Sequence, residues 1–212
     1  MFVERDYSRY ADYVPQKGDV VLDVGAHIGM YAIHAARKVG PSGLVVAVEP
    51  NPLAFRSLDS NVHLNRLANV KLVEKALGAQ QGEVDIFTDK SGTSASSLFY
   101  NHVETLNIHH GEILRLSANM TTVDNLLRDR NLNRVDLVKI DAEGAETAIL
   151  KGATASLSNG IIRRVVVEVH EDVSPKEETA EILRQNHFAI EHVLNYPDPY
   201  IGRALIYSCF SP

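Results

Sequence analysis

Two short segments end in side chains that could move a proton. In the run LVKID, the alternation of a β-strand puts Lys139 and Asp141 on one face. In the run VVEVH, the same alternation puts Glu168 and His170 on one face. Carboxylates and imidazoles are common general acids and bases, and an imidazole titrates near neutral pH. These four residues are therefore the candidates for proton transfer.

Each candidate also has a purely structural interpretation. A lysine inside a covered strand is costly unless an acid neutralises it, and Glu168 is the expected partner of Lys139. The two side chains would then either satisfy only each other or also take part in catalysis. Asp141 stands at a strand tip, where it could bind an amino group or accept a proton. His170 is either the base or a polar residue at the rim of the site.

A glycine turn lies between the first predicted strand and the first predicted helix, in the run DVGAHIG from Asp23 to Gly29. In open α/β sheets, ligands bind in the crevice at this point. Gly25 lets the backbone lie against a ligand, and Gly29 permits close helix packing. His27 replaces the second glycine of the dinucleotide pattern G-x-G-x-x-G, so a pyrophosphate would be crowded.

A carboxylate ends the second predicted strand and strengthens the case for a cofactor. Glu49 follows the run LVVAV and precedes a sharp Pro-Asn-Pro turn at residues 50–52. An acid in this place accepts hydrogen bonds from both hydroxyls of a ribose. The pattern therefore favours a nucleoside-containing cofactor, and S-adenosylmethionine is one such cofactor.

Composition narrows the class of protein. The chain has 212 residues, a formal net charge of −6 and 45% hydrophobic residues, as expected for one soluble domain. No basic cluster is longer than a pair such as that at residues 163–164, so we expect no nucleic-acid partner. Charges near the start and the lack of a long apolar run favour the cytoplasm, with no membrane partner. Cys209 is the single cysteine, which excludes an internal disulfide.

The order of strands and helices predicts a mostly parallel, doubly wound sheet. We expect strands at residues 19–24, 44–49, 70–73, 135–140, 161–169, 189–194 and 204–210. We expect helices of about ten residues ending near residues 40–41 and at 52–64, 121–130, 145–157 and 175–186. The last two strands are joined by a short turn and should pair antiparallel.

The middle of the chain interrupts this pattern. Residues 83–88 and 112–117 alternate like half-exposed strands, and the polar residues between them, 89–111, form a long predicted loop. We interpret this loop as a lid or rim inserted over the site. Without repeats or a linker, we expect one domain over residues 1–212, with residues 1–17 as an N-terminal cap segment.

Several of these runs closely resemble the FkbM family of methyltransferases. The matching runs are DVGAHIG at 23–29, VAVEPNP at 46–52, KALG at 75–78, DLVKIDAEGAE at 136–146 and VVVEVH at 165–170. The resemblance implies the Rossmann-like class I methyltransferase fold and S-adenosylmethionine as cofactor. It also implies O-methylation of a hydroxyl on a sugar or small natural product. Oligomeric state and the identity of the acceptor cannot be inferred from it.

The resemblance also assigns residues to the cofactor. The implied set is Asp23, Gly25, Ala26, His27, Gly29, Glu49, Pro50, Asn51, Ala76 and Asp141. Within it, Glu49 would hold the ribose, Ala76 would lie near the adenine, and Asp23 with the glycines would line the methionine end. The family often has Asn where His27 stands, which leaves the role of that side chain open. The two candidate strands would be neighbours, so Lys139, Asp141, Glu168 and His170 would converge.

Metal ions have weaker support. Asp141, Glu143, Glu168 and Glu171 could offer hard oxygen ligands to Mg²⁺. The three histidines of the long loop (His102, His109 and His110) lack regular ligand spacing, so we interpret them as solvated and assign no metal ligand.

Two other classes of function stay open. A nicotinamide-dependent oxidoreductase would use the same fold, but the Y-x-x-x-K spacing of Tyr13 and Lys17 lies far from a late-sheet catalytic position. A domain that only binds a nucleoside cofactor would keep the fold without turnover. Such a domain would have no need of the lysine, the acids and the histidine that are placed together here.

Overall fold

The fold is described from a computed structural model, which covers residues 7–89, 96–106, 112–196 and 202–212. The strands are β1 (Val20–Val24), β2 (Leu44–Val48), β3 (Val70–Val73), β4 (Ala76–Leu77), β5 (Gly82–Asp89), β6 (Ser96–Ser97), β7 (Ile113–Thr121), β8 (Leu137–Ile140), β9 (Arg164–His170), β10 (Phe188–Asn195) and β11 (Arg203–Phe210). The α-helices are α1 (Met30–Val39), α2 (Pro52–Leu64), α3 (Tyr100–Leu106), α4 (Val123–Asp129), α5 (Glu146–Lys151), α6 (Thr154–Ser158) and α7 (Lys176–Gln185).

Seven strands form the main sheet, in the order β10-β11-β9-β8-β1-β2-β3. Strands β9, β8, β1, β2 and β3 pair in parallel, and β11 runs antiparallel to both of its neighbours. The predicted α/β fold class and the antiparallel pairing of the last two strands are both confirmed. The carboxyl ends of β1, β2 and β8 therefore meet at one edge, where ligands bind in such sheets.

Local signals set the helix that follows β2. Asn51 caps α2, because its side-chain oxygen accepts a hydrogen bond from the backbone N–H of Leu53 at 2.8 Å. Pro52 occupies the first helical position, where its fixed φ suits a helix and its missing N–H costs nothing. The helix ends at Leu64, so both predicted bounds are confirmed.

The single helix predicted over residues 145–157 is wrong: two short helices, α5 and α6, occupy that stretch. The break falls at Gly152, where the chain passes close to another backbone segment. A Cβ atom on Gly152 would lie 2.1 Å from the carbonyl oxygen of Gly78. The local sequence contains no sign of this close approach other than the glycine itself, so the break could not be predicted from it.

A second sheet packs beside the first, with the strand order β4-β7-β5-β6. It contains both half-exposed strands predicted from alternation, as β5 and β7. The described part of the predicted loop is not irregular, because it holds β6 and α3. Strand β6 pairs Ser96 with Thr88 and Ser97 with Phe87 of β5. Residues 90–95 and 107–111 of that loop, including His109 and His110, lie outside the described residues.

Buried apolar side chains cover both faces of the main sheet. On one face the N-terminal segment contributes Tyr7 and Tyr13, which are buried against residues of β1, β9 and β11. Its Tyr10 stacks on His192 of β10, with ring centroids 3.6 Å apart. The segment is thus part of the core on that face. In the described ranges, no helix combines the length and apolar character that crossing a bilayer requires.

Candidate functional site

The glycine turn after β1 is shaped by close backbone contacts. Gly25 has a φ of +71°, and a Cβ atom there would lie 1.8 Å from the carbonyl oxygen of Asp141. The N–H groups of Gly25 and Ala26 both donate to the carbonyl oxygen of Val48, each at 3.0 Å. Gly29 has a φ of +93° and precedes α1. Only glycine can adopt this positive φ at position 25 and let the Asp141 carbonyl oxygen approach so closely without strain.

Glu49 joins this turn to the one after β2. Its carboxylate oxygens accept hydrogen bonds from the backbone N–H of His27 at 2.8 Å and of Asn51 at 2.9 Å. The side chain is buried, and burial raises the pKa of Glu49 to about 7 despite these two donors. Each carboxylate oxygen holds one backbone donor and keeps a lone pair for a second. Asn51 also donates to the hydroxyl of Ser96 at 2.8 Å, which ties the second sheet to the turn.

A cavity of about 220 Å³ lies at the carboxyl ends of β1, β2 and β8. Six residues of the proposed cofactor set line it: Gly25, His27, Glu49, Pro50, Ala76 and Asp141. Four do not line it: Asp23 is buried within β1, and Ala26, Gly29 and Asn51 belong to the turns that follow β1 and β2. Lining residues outside the set are Val24, Val48, Lys75, Leu77, Ile86, Ser96, Leu98, Ala142, Glu143, Ala145 and Ile149.

Some of these additional lining residues could have been predicted from the sequence. Lys75 and Leu77 belong to the KALG run that flanks Ala76, and Glu143 follows Asp141 by two positions. Ser96 and Leu98 come from the segment at residues 89–111, called the insertion below. Sequence patterns there give no indication of which residues turn inward. Both residues enter the wall because β6 pairs with β5 beside the cavity.

The predicted ion pair between Lys139 and Glu168 is wrong. The ammonium of Lys139 lies 3.3 Å from a carboxylate oxygen of Asp23 and 3.7 Å from one of Asp141. It also donates to the carbonyl oxygen of Gly25 at 2.9 Å. Strand register is the reason, because Lys139 pairs with Asp23 on β1 and with Val166 on β9, two residues before Glu168. Lys139 and Asp23 are both buried, so their charges compensate each other inside the sheet.

Glu168 instead belongs to a network around Tyr7. The buried Tyr7 hydroxyl contacts a carboxylate oxygen of Glu168 and, at 2.9 Å, one of Asp141. A phenol has one proton, so it can donate to only one of the two acids at a time. Arg203 donates to the other oxygen of Glu168 at 3.3 Å. Burial and the nearby Asp141 charge raise the pKa of Glu168 to about 7. Of these two acids, Asp141 lines the cavity.

His170 does not face the cavity. It is fully buried, with Nδ1 donating to Glu146 at 2.9 Å and Nε2 lying 3.1 Å from a carboxylate oxygen of Glu143. Burial by itself would lower the pKa of His170, but the contacts with the two carboxylates raise it to about 11. His170 is not among the residues that line the cavity, whereas Asp141 lines it, so Asp141 is the better placed of the two to receive a proton from a molecule bound there.

His102 is also buried, which corrects its interpretation as a solvated loop residue. It lies on α3, with Nδ1 donating to Asp172 at 2.6 Å and Nε2 lying 3.0 Å from Glu143. Its ring packs edge-to-face on His170, with centroids 5.3 Å apart. The burial of His102 results from docking of the insertion and had no local signal.

The four acids considered for Mg²⁺ do not form one site. Glu171 pairs with Lys176 at 3.2 Å, and Glu168 is held by Tyr7 and Arg203. Among the described residues, Asp141 and Glu168 lie close enough to share an ion, but neither Glu143 nor Glu171 joins them, so that ligand set is not supported.

The sheet order, the glycine turn and the acid at the end of β2 define the Rossmann-like class I methyltransferase fold. The solved structure of Aeropyrum pernix fibrillarin with natively bound S-adenosyl-L-methionine superposes with a TM-score of 0.54. The sequences are 18% identical, and the match covers 92% of this chain and 68% of that one. At this identity the likeness shows a shared fold.

The family follows from the sequence profile described as "Methyltransferase FkbM domain", which matches residues 23–196. The chain belongs to this family of methyltransferases, as the resemblance of its motifs predicted. That membership sets it apart from the nicotinamide-dependent oxidoreductases.

Individual relatives are distant but span most of the chain. Methyltransferase sdnD of Sordaria araneosa is 28% identical over 192 residues, covering 80% of this chain and 73% of the relative. The hexuronic acid methyltransferase AglP of Haloferax volcanii is 29% identical over 178 residues, covering 83% and 66%. The 31-O-demethyl-FK506 methyltransferase FkbM of Streptomyces tacrolimicus is 26% identical over 212 residues, covering 90% and 80%.

Proposed function

We propose that this protein transfers a methyl group from S-adenosylmethionine to a hydroxyl of a sugar or small natural product. The observation that carries the proposal is one cavity that has Glu49 and the Gly25 turn in its wall together with Asp141. A relative named for a hexuronic acid and another named for O-demethylated FK506 support an oxygen acceptor on such molecules.

The cavity wall fits the parts of this cofactor. The free lone pairs of the Glu49 carboxylate suit the two ribose hydroxyls, and Ala76, Leu77 and Ile86 offer an apolar surface to the adenine. The carboxylate of Asp141 suits the positive methionine end. A pyrophosphate would have to fit beside His27, which occupies the turn where dinucleotide-binding folds have glycine.

Methyl transfer from a sulfonium is an in-line displacement, so the protein has to position the acceptor and remove one proton. Asp141 is the residue we assign to that proton, because it lines the cavity and its carboxylate is partly exposed. Tyr7 and Lys139 hold the Asp141 carboxylate from the side. The buried Glu168, whose pKa is about 7, can share a proton with it through the Tyr7 hydroxyl.

The test is methyl transfer to a defined panel of acceptors, followed by mass spectrometry. The panel contains uronic acid glycosides, neutral sugars, hydroxylated macrolides and matched amines. We expect a mass gain of one methylene on a hydroxylated acceptor, lost in Asp141→Asn by about 10²- to 10⁴-fold in turnover. Asp129→Asn, at an exposed helix end, is the matched control and should behave as wild type. Methylation of amines alone would contradict the proposal.

Cofactor choice is tested separately by calorimetric titration. S-adenosylmethionine and S-adenosylhomocysteine should bind with one site per chain, and NAD⁺ should not bind. Binding of NAD⁺ in preference to both would contradict the cofactor assignment and restore the oxidoreductase alternative.

A further inference from the structure

Two buried histidines point at one carboxylate oxygen beside the cavity. The Nε2 atom of His102 lies 3.0 Å from an oxygen of Glu143, and the Nε2 atom of His170 lies 3.1 Å from the same oxygen. The three ligand atoms all lie within 4.8 Å of one another. We propose that His102, Glu143 and His170 form a site for one divalent transition metal ion of the Zn²⁺ class.

The orientation of both rings is fixed from behind. Nδ1 of His102 donates to Asp172, and Nδ1 of His170 donates to Glu146. Histidines that bind metals generally donate their other ring N–H to a carboxylate or carbonyl in this way, which fixes the tautomer and raises ligand basicity. Both Nε2 atoms are thereby directed to the Glu143 carboxylate, where one metal ion would take the place of the two N–H protons.

Distances at the site agree with shared coordination. Zinc binds imidazole nitrogen and carboxylate oxygen at about 2.0–2.2 Å, so two adjacent ligands of one ion lie about 3.0–3.5 Å apart. The two contacts to Glu143, at 3.0 and 3.1 Å, fall at that separation. The Nε2 atom of His170 is buried and, among the described residues, has no hydrogen bond of good geometry.

Charge and backbone conformation support the same site. A divalent ion brings the two positive charges that two imidazole protons would otherwise supply, so the surrounding acids stay neutralised. Glu143 is held at a φ of +47°, an uncommon conformation for a residue other than glycine. The Ser97 hydroxyl donates to its carbonyl oxygen at 2.6 Å and keeps the loop in place. Arg203 lies 3.7 Å from the Glu143 carboxylate, so its positive charge would lie close to the ion and oppose its binding.

The ligands come from three parts of the chain, which gives the ion a structural effect. His102 lies on α3 in the insertion, Glu143 follows β8, and His170 ends β9. A bound ion would tie the insertion to the main sheet next to the cavity wall. Two imidazoles and one carboxylate suit Zn²⁺, Co²⁺ or Ni²⁺ better than Mg²⁺, which prefers oxygen ligands.

The experiment uses the untagged full chain after dialysis against a chelator, with the metal alone as probe. Co²⁺ is titrated by visible absorption, Zn²⁺ by competition, and bound zinc is counted by mass spectrometry. We expect one equivalent of Zn²⁺ per chain, a rise in melting temperature, and an affinity lowered at least about 100-fold in His102→Ala. His63→Ala removes an exposed histidine that also contacts a carboxylate, and should bind as wild type.

Glu143→Gln and His102→Ala are the two test variants, because His170→Ala would empty a fully buried position and destabilise the fold. Folding of both variants is checked by circular dichroism. If the wild type binds no zinc, or if both folded variants bind one equivalent with wild-type affinity, the site does not exist. The measurement contains no methyl donor, so its result is independent of the proposed methyl transfer.

Discussion

Replacing Lys139 by Met should show how strongly a buried ion pair holds the glycine turn. The ammonium neutralises the fully buried Asp23 at 3.3 Å and donates to the carbonyl oxygens of Val24 and Gly25. Met keeps most of the apolar volume but leaves Asp23 without its counter-charge. Breaking a buried pair from one side costs about 3–5 kcal/mol. For a domain of this size, that corresponds to a fall in melting temperature of about 6–20 °C.

The pH dependence of this loss has a definite sign. Burial raises the pKa of Asp23 even with Lys139 present, and removing the lysine raises it further. An acid with a raised folded-state pKa contributes stability that is present at low pH and lost as pH rises through that pKa. The deficit of Lys139→Met relative to wild type should therefore be largest at neutral pH and shrink as the pH is lowered. Thermal unfolding across a pH series measures it.

Two further variants control this result. Lys151→Met removes an ion pair with Glu178 of similar length, 2.8 Å, whose side chains are 53% and 46% exposed. Exposed pairs are worth about 0.2–1 kcal/mol, so this variant should barely change the melting temperature. The double variant Lys139→Met with Asp23→Asn should recover part of the loss, because no bare charge stays buried. A Lys139→Met protein as stable as wild type at neutral pH would refute the pairing.

Three other predictions concern the turns around the cavity. Glu49→Ala should weaken S-adenosylhomocysteine by about 1.5–3 kcal/mol, roughly 10- to 150-fold, in a calorimetric titration; unchanged affinity would remove the ribose assignment. Because the pKa of Glu49 is about 7, the affinity of the wild type should fall as the pH drops through about 7, whereas Glu49→Gln should show no such step. Gly25→Ala should lower the free energy of unfolding by about 1–3 kcal/mol more than Gly40→Ala does. At Gly40, φ is also positive, but a Cβ atom would have open space. Equal melting temperatures for the two glycine variants would argue against the close approach to Asp141.

Features governed by neighbouring residues were predictable from the sequence. Asn51 and Pro52 set the start of α2 by a cap and a fixed φ, and both act within one helical turn. Gly25 and Glu49 could be placed at one crevice because the ends of adjacent parallel strands must meet. The fold class followed from the alternation of strands and helices.

Features governed by register and docking were not predictable in the same way. The partner of Lys139 depends on how β8 aligns with β1 and β9, and a shift of two residues exchanges Glu168 for Val166. The burial of His102 depends on where α3 docks, which no local pattern specifies. Hydrophobic alternation indicates which face a side chain occupies, but leaves its partner across the sheet unspecified.

A crystal structure with S-adenosylhomocysteine tests the central claim most directly, because it locates every part of the cofactor product at once. We predict the ribose hydroxyls within hydrogen-bond distance of the Glu49 carboxylate, about 2.5–3.0 Å between oxygens. We predict the adenine beside Ala76 and the sulfur at the Asp141 end of the cavity. A complex with the ribose away from Glu49, or with the sulfur at the Ala76 end, would contradict the account.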